Sequence, residues 1–119
     1  PMMVGALLCR NVNRKKFTDM VLTGRRIPAP EAENIGLITS AVEPERLDEE
    51  VQKTLKLLSS KSPIGIRIGK EAFRAMSDMS FEEAVDYLCE ALGRAISTED
   101  AKEGMTAFIE KREPKFKGK

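Results

Sequence analysis

Histidine and tryptophan are absent from this 119-residue sequence, and it holds only two cysteines, Cys9 and Cys89. Without histidine there is no imidazole metal ligand, no serine–histidine triad and no cysteine–histidine dyad, and the commonest general base is missing. Chemistry done by this chain falls to Asp, Glu, Lys, Tyr or Cys. The cysteines are far apart and lack C-x-x-C spacing, which speaks against a disulfide framework or a zinc site. Small buried core thiols in a reducing, cytoplasmic compartment are the simpler expectation. Aromatics make up 5% of the chain, so a core must be mostly aliphatic. No apolar run is long enough to span a membrane, and nothing at the start reads as a signal or transit peptide. Twenty Lys and Arg against nineteen Asp and Glu leave a net charge of +1. With basic residues scattered, that balance argues against a nucleic-acid binder.

What remains has a soluble globular profile, with 41% hydrophobic and 33% charged residues and the length of one domain. A chain of this length buries roughly 65% of its unfolded surface, enough for one modest core. The first residue is Pro1. Removal of an initiator Met and a cut within a longer protein both produce such a start.

Apolar spacing and punctuation predict about seven helical pieces. Residues 2–13 read as a short, largely buried helix. Residues 14–22 place Phe17, Met20 and Val21 on one face, and Gly24 closes that helix. Pro30 to Gly36 reads as a two-turn helix. Leu37, Ile38, Ala41 and Val42 suit one strand or an extended buried segment. Pro44 opens a helix striped by Leu47, Val51, Leu55 and Leu58. Ser62-Pro63 starts another, with Ile64, Ile68, Ala72 and Ala75 on one face; Ile66 and Phe73 point elsewhere, so it looks covered on more than one side. Ser80 and Glu83 form a capping box before Phe81, Ala84, Val85, Leu88, Leu92 and Ile96. Ser97 and Thr98 cap the last helix, Pro114 stops it, and the tail to Lys119 reads as extended or frayed. Residues 80–113 look like an antiparallel helix pair that needs a partner surface.

Candidate chemistry is sparse. Glu82/Glu83/Asp86, Asp48/Glu49/Glu50 and Glu99/Asp100/Glu103 fall in the first or second turns of predicted helices, where the helix dipole and solubility account for them. Gly65 and Gly69 have no preceding strand and no following Lys-Ser/Thr, so they suit close helix packing better than a phosphate loop. Lys111, Arg112, Lys115, Lys117 and Lys119 make a local basic patch. It is either a solvated helix end or a binder of one phosphorylated ligand. Phe108 lies one turn before Lys111, so a ring and a cation share a face. A ligand greasy at one end and phosphorylated at the other matches that layout, and so does a core Phe beside a snorkelling Lys.

Three stretches resemble the crotonase (enoyl-CoA hydratase/isomerase) superfamily. LTGRRIPAPEAENIGLITSAVEPERLDEEV, residues 22–51, is similar to its L-T-G, A-x-E-A and G-L segment. KSPIGIRIGKEAF, residues 61–73, is similar to its S-P followed by a helix with a central Lys. STEDAKEGMTAFIEKREPKFKGK, residues 97–119, is similar to its terminal E-G-x-x-A-F-x-E-K-R-x-P-x-F signature. They occur in the family's order and cover nearly the whole chain.

The resemblance implies a mainly α chain: the helical C-terminal segment of the crotonase fold, with at most one short strand and without the N-terminal β-β-α spiral. Residues 1–60 would be the end of the crotonase core and 61–119 the C-terminal helical, oligomerisation region. It implies catalysis by two backbone N–H groups that hold a thioester oxygen as an enolate forms, with a carboxylate moving protons. Those groups are expected upstream of Pro1, so no catalytic residue is assigned in this chain. By residue match, Phe108 would line the acyl or pantetheine channel and Lys111 would approach a CoA phosphate. The implied ligand is an acyl-CoA thioester as substrate, with no metal or redox cofactor. The implied assembly is a homo-oligomer, a trimer or hexamer, with no nucleic-acid or membrane partner. A small helical oligomerisation module without catalysis is the alternative.

Overall fold

The computed structural model of the protein describes residues 2–119; Pro1 lies outside the described residues. The chain forms two compact units, one ending at Glu50 and the other running from Val51 to Lys119.

In the first unit, α1 (Met2–Asn11) packs on α2 (Arg14–Thr23). The Phe17 ring lies over Gly5, where a Cβ would make ordinary van der Waals contact with it at 3.6 Å. The connection between them buries Val12. Asn13 caps α2 by accepting from the Lys15 N–H at 3.0 Å. Gly24, at φ 62°, ends it and donates to the Met20 carbonyl. Arg25 then clamps α2 to α3 (Ala29–Asn34). Its Nε donates to Asp19 at 2.9 Å, while Nη1 and Nη2 hold both oxygens of Glu31 at 2.9 and 2.6 Å. A fork-to-carboxylate pair of this kind fixes orientation as well as distance. Beyond α3, Gly36 takes φ 75°, Leu37 N–H reaches back to the Ala32 carbonyl, and Glu33 accepts from the Ala41 N–H at 3.1 Å.

The second unit is built on helices with side-chain caps. The 3-10 turn Pro44–Arg46 and the first turn of α4 (Leu47–Ser59) close the first unit, and the rest of α4 opens the second. Then follow α5 (Pro63–Ala75), a 3-10 turn at Met76–Asp78, α6 (Phe81–Ile96) and α7 (Glu99–Ile109). Ser62, Ser80 and Thr98 each accept from a backbone N–H of the first turn, and Ser80 with Glu83 completes the capping box. Each such cap satisfies a donor that the helix itself leaves free. α5 packs along α6, and both touch α7. Ala72, Ala91 and Ala107, one from each helix, are the buried core.

Several expectations are corrected. α1 forms but has no buried residue, and Met2 and Met3 are 92% and 90% exposed; its apolar side has no surface to cover it within this chain. Residues 37–42 are neither the strand nor the buried extended segment that their apolar character allowed, and no strand occurs among the described residues, within the expected limit of at most one; the backbone there is bound to Ala32 and Glu33. Cys9 and Cys89 are exposed, not core thiols. α5 is covered on one side only, since Ile66 and Phe73 are open to solvent. Gly65 does not serve helix packing: a Cβ there would meet the Ser62 side chain at 3.3 Å, so the residue makes room for its own cap. Of the two alternatives for the tail, extended or frayed, the structure has the extended one, held against α7 as described below.

Among the described residues no large apolar side chain is fully buried. The accessible surface is 9960 Å² for 13.2 kDa. Even two wholly separate globules of half that mass would expose only about 7,700 Å² together.

Candidate functional site

The terminal signature resolves into three anchors around α7. The first is Glu103. Its carboxylate accepts from Nη1 and Nη2 of Arg112, at 2.6 and 3.0 Å, and from the Lys115 N–H at 2.7 Å. The Arg112 bonds, then the Lys115 N–H, hold the Glu103 carboxyl down to about 2, against some opposing desolvation. The second is Gly104, where a Cβ would touch the Phe116 ring at 3.6 Å.

The third is Asp100, which is 2% exposed. Its carboxylate accepts from the Ser62 hydroxyl at 2.7 Å, the Lys117 N–H at 2.7 Å and the Gly118 N–H at 3.1 Å. Its own N–H donates to the Lys119 carbonyl at 3.0 Å. Burial pushes its carboxyl up, but the donors from Lys117, Ser62, Gly118 and Lys119 together leave it below the usual carboxylate range. Dipole complementarity therefore does not account for Asp100 and Glu103: both are structural acceptors that fold the tail back onto α7 and the start of α5.

An open, apolar groove of about 590 Å³ lies along α7. Its walls come from Ile96 and Ala95 of α6, from Ala101, Met105, Phe108 and Ile109 of α7, and from Phe116 of the tail. Phe108 is 84% exposed, with Met105 and Ile109 beside it. α7 ends at Ile109, and Lys111 follows at φ 54°. The Lys111 N–H bonds the Phe108 carbonyl and the Arg112 N–H the Ala107 carbonyl, which is a Schellman closure. Lys111 is exposed at the mouth of that turn but is not among the groove's walls. So the two residues are one turn apart in sequence, but they do not lie along a continuous helical face. Arg112, counted in the basic patch, is committed to Glu103 and Glu110.

Chemically, this groove can hold an apolar chain and present one cation nearby. Its one carboxylate, Asp100, is saturated with donors and stays ionised, a poor proton carrier. Among the described residues no three Cys, Asp or Glu side chains converge as a metal site would require. No helix among them is long and apolar enough to cross a membrane. The sequence signal for Asp100 was its place in T-E-D-x-x-E-G. Nothing in a linear pattern says that Ser62, 38 positions earlier, donates to it.

The helices superpose on solved crotonase-fold enzymes. One is the enoyl-CoA hydratase of Mycobacterium smegmatis, with TM-score 0.90 at 30% identity over 94% of this chain and 44% of that one. Another is the enoyl-CoA hydratase of Bacillus anthracis, with TM-score 0.89 at 32% identity over 94% and 43%. This is a mainly α chain with the helical architecture found in part of those proteins. Residues 1–119 match the enoyl-CoA hydratase/isomerase family, and the chain belongs to it. Among curated relatives, a probable enoyl-CoA hydratase of Mycobacterium tuberculosis is 38% identical over 92% of this chain and 42% of its own length. A short-chain-enoyl-CoA hydratase of Clostridioides difficile is 36% identical over 85% and 65%. The chain spans about two fifths of the length of the first of these.

Proposed function

We propose that this chain is the C-terminal, acyl-CoA-gripping and assembly part of an enoyl-CoA hydratase/isomerase family protein, and that it binds thioesters without transforming them. The observation that carries this reading is Phe108. A large ring stands 84% exposed on an apolar groove, in a chain whose whole length matches a family named for CoA thioesters. The acyl or pantetheine chain would lie against Phe108, and the Lys111 ammonium would meet a CoA phosphate. The fold supports a role for Lys111, because a left-handed C′ position favours glycine and a lysine there carries a backbone cost. The polarising N–H pair and the proton-moving carboxylate of the family's chemistry would lie outside these residues. The reading calls for no metal or redox group.

Titration with butyryl-CoA and with free CoA tests it. Phe108→Ala is expected to weaken butyryl-CoA about tenfold, or about 1.4 kcal/mol, and free CoA little. Lys111→Ala is expected to weaken both. The chain should not hydrate crotonyl-CoA, and turnover abolished by replacing one of its own glutamates would overturn that part. The exposed stripes of α4 and α6 favour a second reading, a helical assembly module with no ligand. Under it, neither CoA nor acyl-CoA raises the melting temperature.

A further inference from the structure

The tail Lys115–Lys119 is held at both ends and carries an aromatic ring in the middle. Glu103 fixes the Lys115 N–H. Asp100 fixes the Lys117 and Gly118 N–H groups through its carboxylate and the Lys119 carbonyl through its own N–H. Between the two clamps, Phe116 rests on Gly104. Its ring lines the Phe108 groove on one side and, on the other, a second hollow bordered by Lys56, Lys61, Pro63 and Pro114. Phe116 is therefore the partition between an apolar groove and a more polar hollow.

The clamp at Asp100 is specific in its chemistry. Ser62 spends its lone pair on the Gly65 N–H and its proton on Asp100, so it joins the cap of α5 to the tail. Gly118 takes φ 75°, and a Cβ there would meet Pro63 at 3.7 Å. The φ is one that glycine takes without strain and other residues do not, whereas the 3.7 Å separation is an ordinary van der Waals contact. An amide in place of the Asp100 carboxylate would turn one acceptor into a donor facing donors.

We propose that the tail is a strap latched by Asp100, and that the latched strap holds Phe116 as the wall that gives the Phe108 groove its selectivity for longer acyl chains. The ligand half of this rests on the acyl-CoA reading above; the latch itself does not. Asp100 is in this sense a positioning residue, acting through Phe116.

The test uses the full chain as wild type, Asp100→Asn and Gly118→Ala. Calorimetric titration with acetyl-CoA and octanoyl-CoA reads the wall. In both variants octanoyl-CoA affinity is expected to fall about tenfold and acetyl-CoA no more than about threefold. Equal losses for the two thioesters would overturn the proposal, because general loosening does not distinguish chain length. Amide hydrogen exchange reads the latch. The Lys117 and Gly118 amides are expected to exchange at least about tenfold faster in both variants, with α6 unchanged. If α6 also accelerates in Asp100→Asn, that variant is unfolding and Gly118→Ala decides the matter. If wild type binds neither thioester, the acyl-CoA reading and the wall fail together, and exchange still judges the latch. Unchanged exchange at both amides would overturn it.

Discussion

Single residues in this chain carry more than their sequence neighbours reveal, and Lys111 is the sharpest case. Two helices close with the same Schellman pattern. At α3 the left-handed position is Gly36, where it costs nothing; at α7 it is Lys111. Lys111→Gly is expected to raise stability by about 0.5–1 kcal/mol, through relief of the left-handed backbone partly offset by glycine's entropy. The same change should weaken CoA binding. Thermal melts and titrations on one pair of proteins check both signs, and a destabilised variant would mean that the ammonium holds the fold. Glu103 gives the second residue-scale test. Its carboxyl stands at about 2 in the fold against 4.5 ordinarily. A carboxyl lowered by folding stabilises fully above its unfolded value, and that contribution is lost as pH falls through the folded one. Acid melts of wild type should thus lose stability between pH 4.5 and about 2. Glu103→Gln should be less stable near neutrality and flatter across that window; an unchanged acid limb would count against the ion pair as a stabiliser.

At the scale of elements, stability is written in caps, and the caps can be compared. Ser80 serves one helix. Ser62 serves α5 and also donates to Asp100. Ser80→Ala is expected to cost about 1 kcal/mol, the usual worth of such a cap. Ser62→Ala should cost measurably more by denaturant melt, because it also strips a donor from a buried carboxylate. Equal costs would show that the Ser62–Asp100 bond adds nothing net. Elements of this kind were legible in the sequence because their signals are local. Ser62-Pro63, Ser80 with Glu83, Thr98 and Gly24 all cap or close helices where their spacing placed them. What was illegible is non-local. Asp100 was read as a solvated helix-end carboxylate, and the extended-or-frayed alternatives for the tail stayed open, for one reason: each satisfies the other across 17 positions or more. The misreadings of α1 and of the cysteines have a different origin. Apolar spacing shows which side of a helix seeks cover but not whether the cover lies in the same chain, and for Met2, Met3, Leu7 and Cys9 it does not. Of the candidate site, the ring at 108 was placed on an open groove; the continuous face shared with Lys111 was lost to a helix that ends two residues early.

For the molecule as a whole, the decisive quantity is uncovered apolar surface. Along α6, Phe81, Val85, Leu92 and Ile96 recur on one side and all are exposed, while the adjacent side buries Ala91. Along α4, Leu47, Val51, Leu55 and Leu58 repeat the pattern, with no buried residue in the helix. Contiguous apolar surface on a helix face is a common mark of an interaction surface. A core of a few alanines and one valine leaves little to hold the chain alone, so covering these stripes should supply much of the folding free energy. Where further copies of the chain supply that cover, folding and association become one equilibrium, and the melting temperature is expected to depend on protein concentration. Each tenfold rise in concentration should stabilise a dimer by about 1.4 kcal/mol, or about 0.7 kcal/mol per chain. Light scattering at micromolar concentration should give a mass above one chain. Phe81→Glu with Leu92→Glu, two charges on the α6 stripe, should abolish both the higher mass and the concentration dependence, and should lower the melting temperature at every concentration. A wild-type chain that melts cooperatively as a monomer, at a temperature indifferent to its concentration, would mean that the alanine-lined packing of α5, α6 and α7 suffices on its own and that the stripes need no cover.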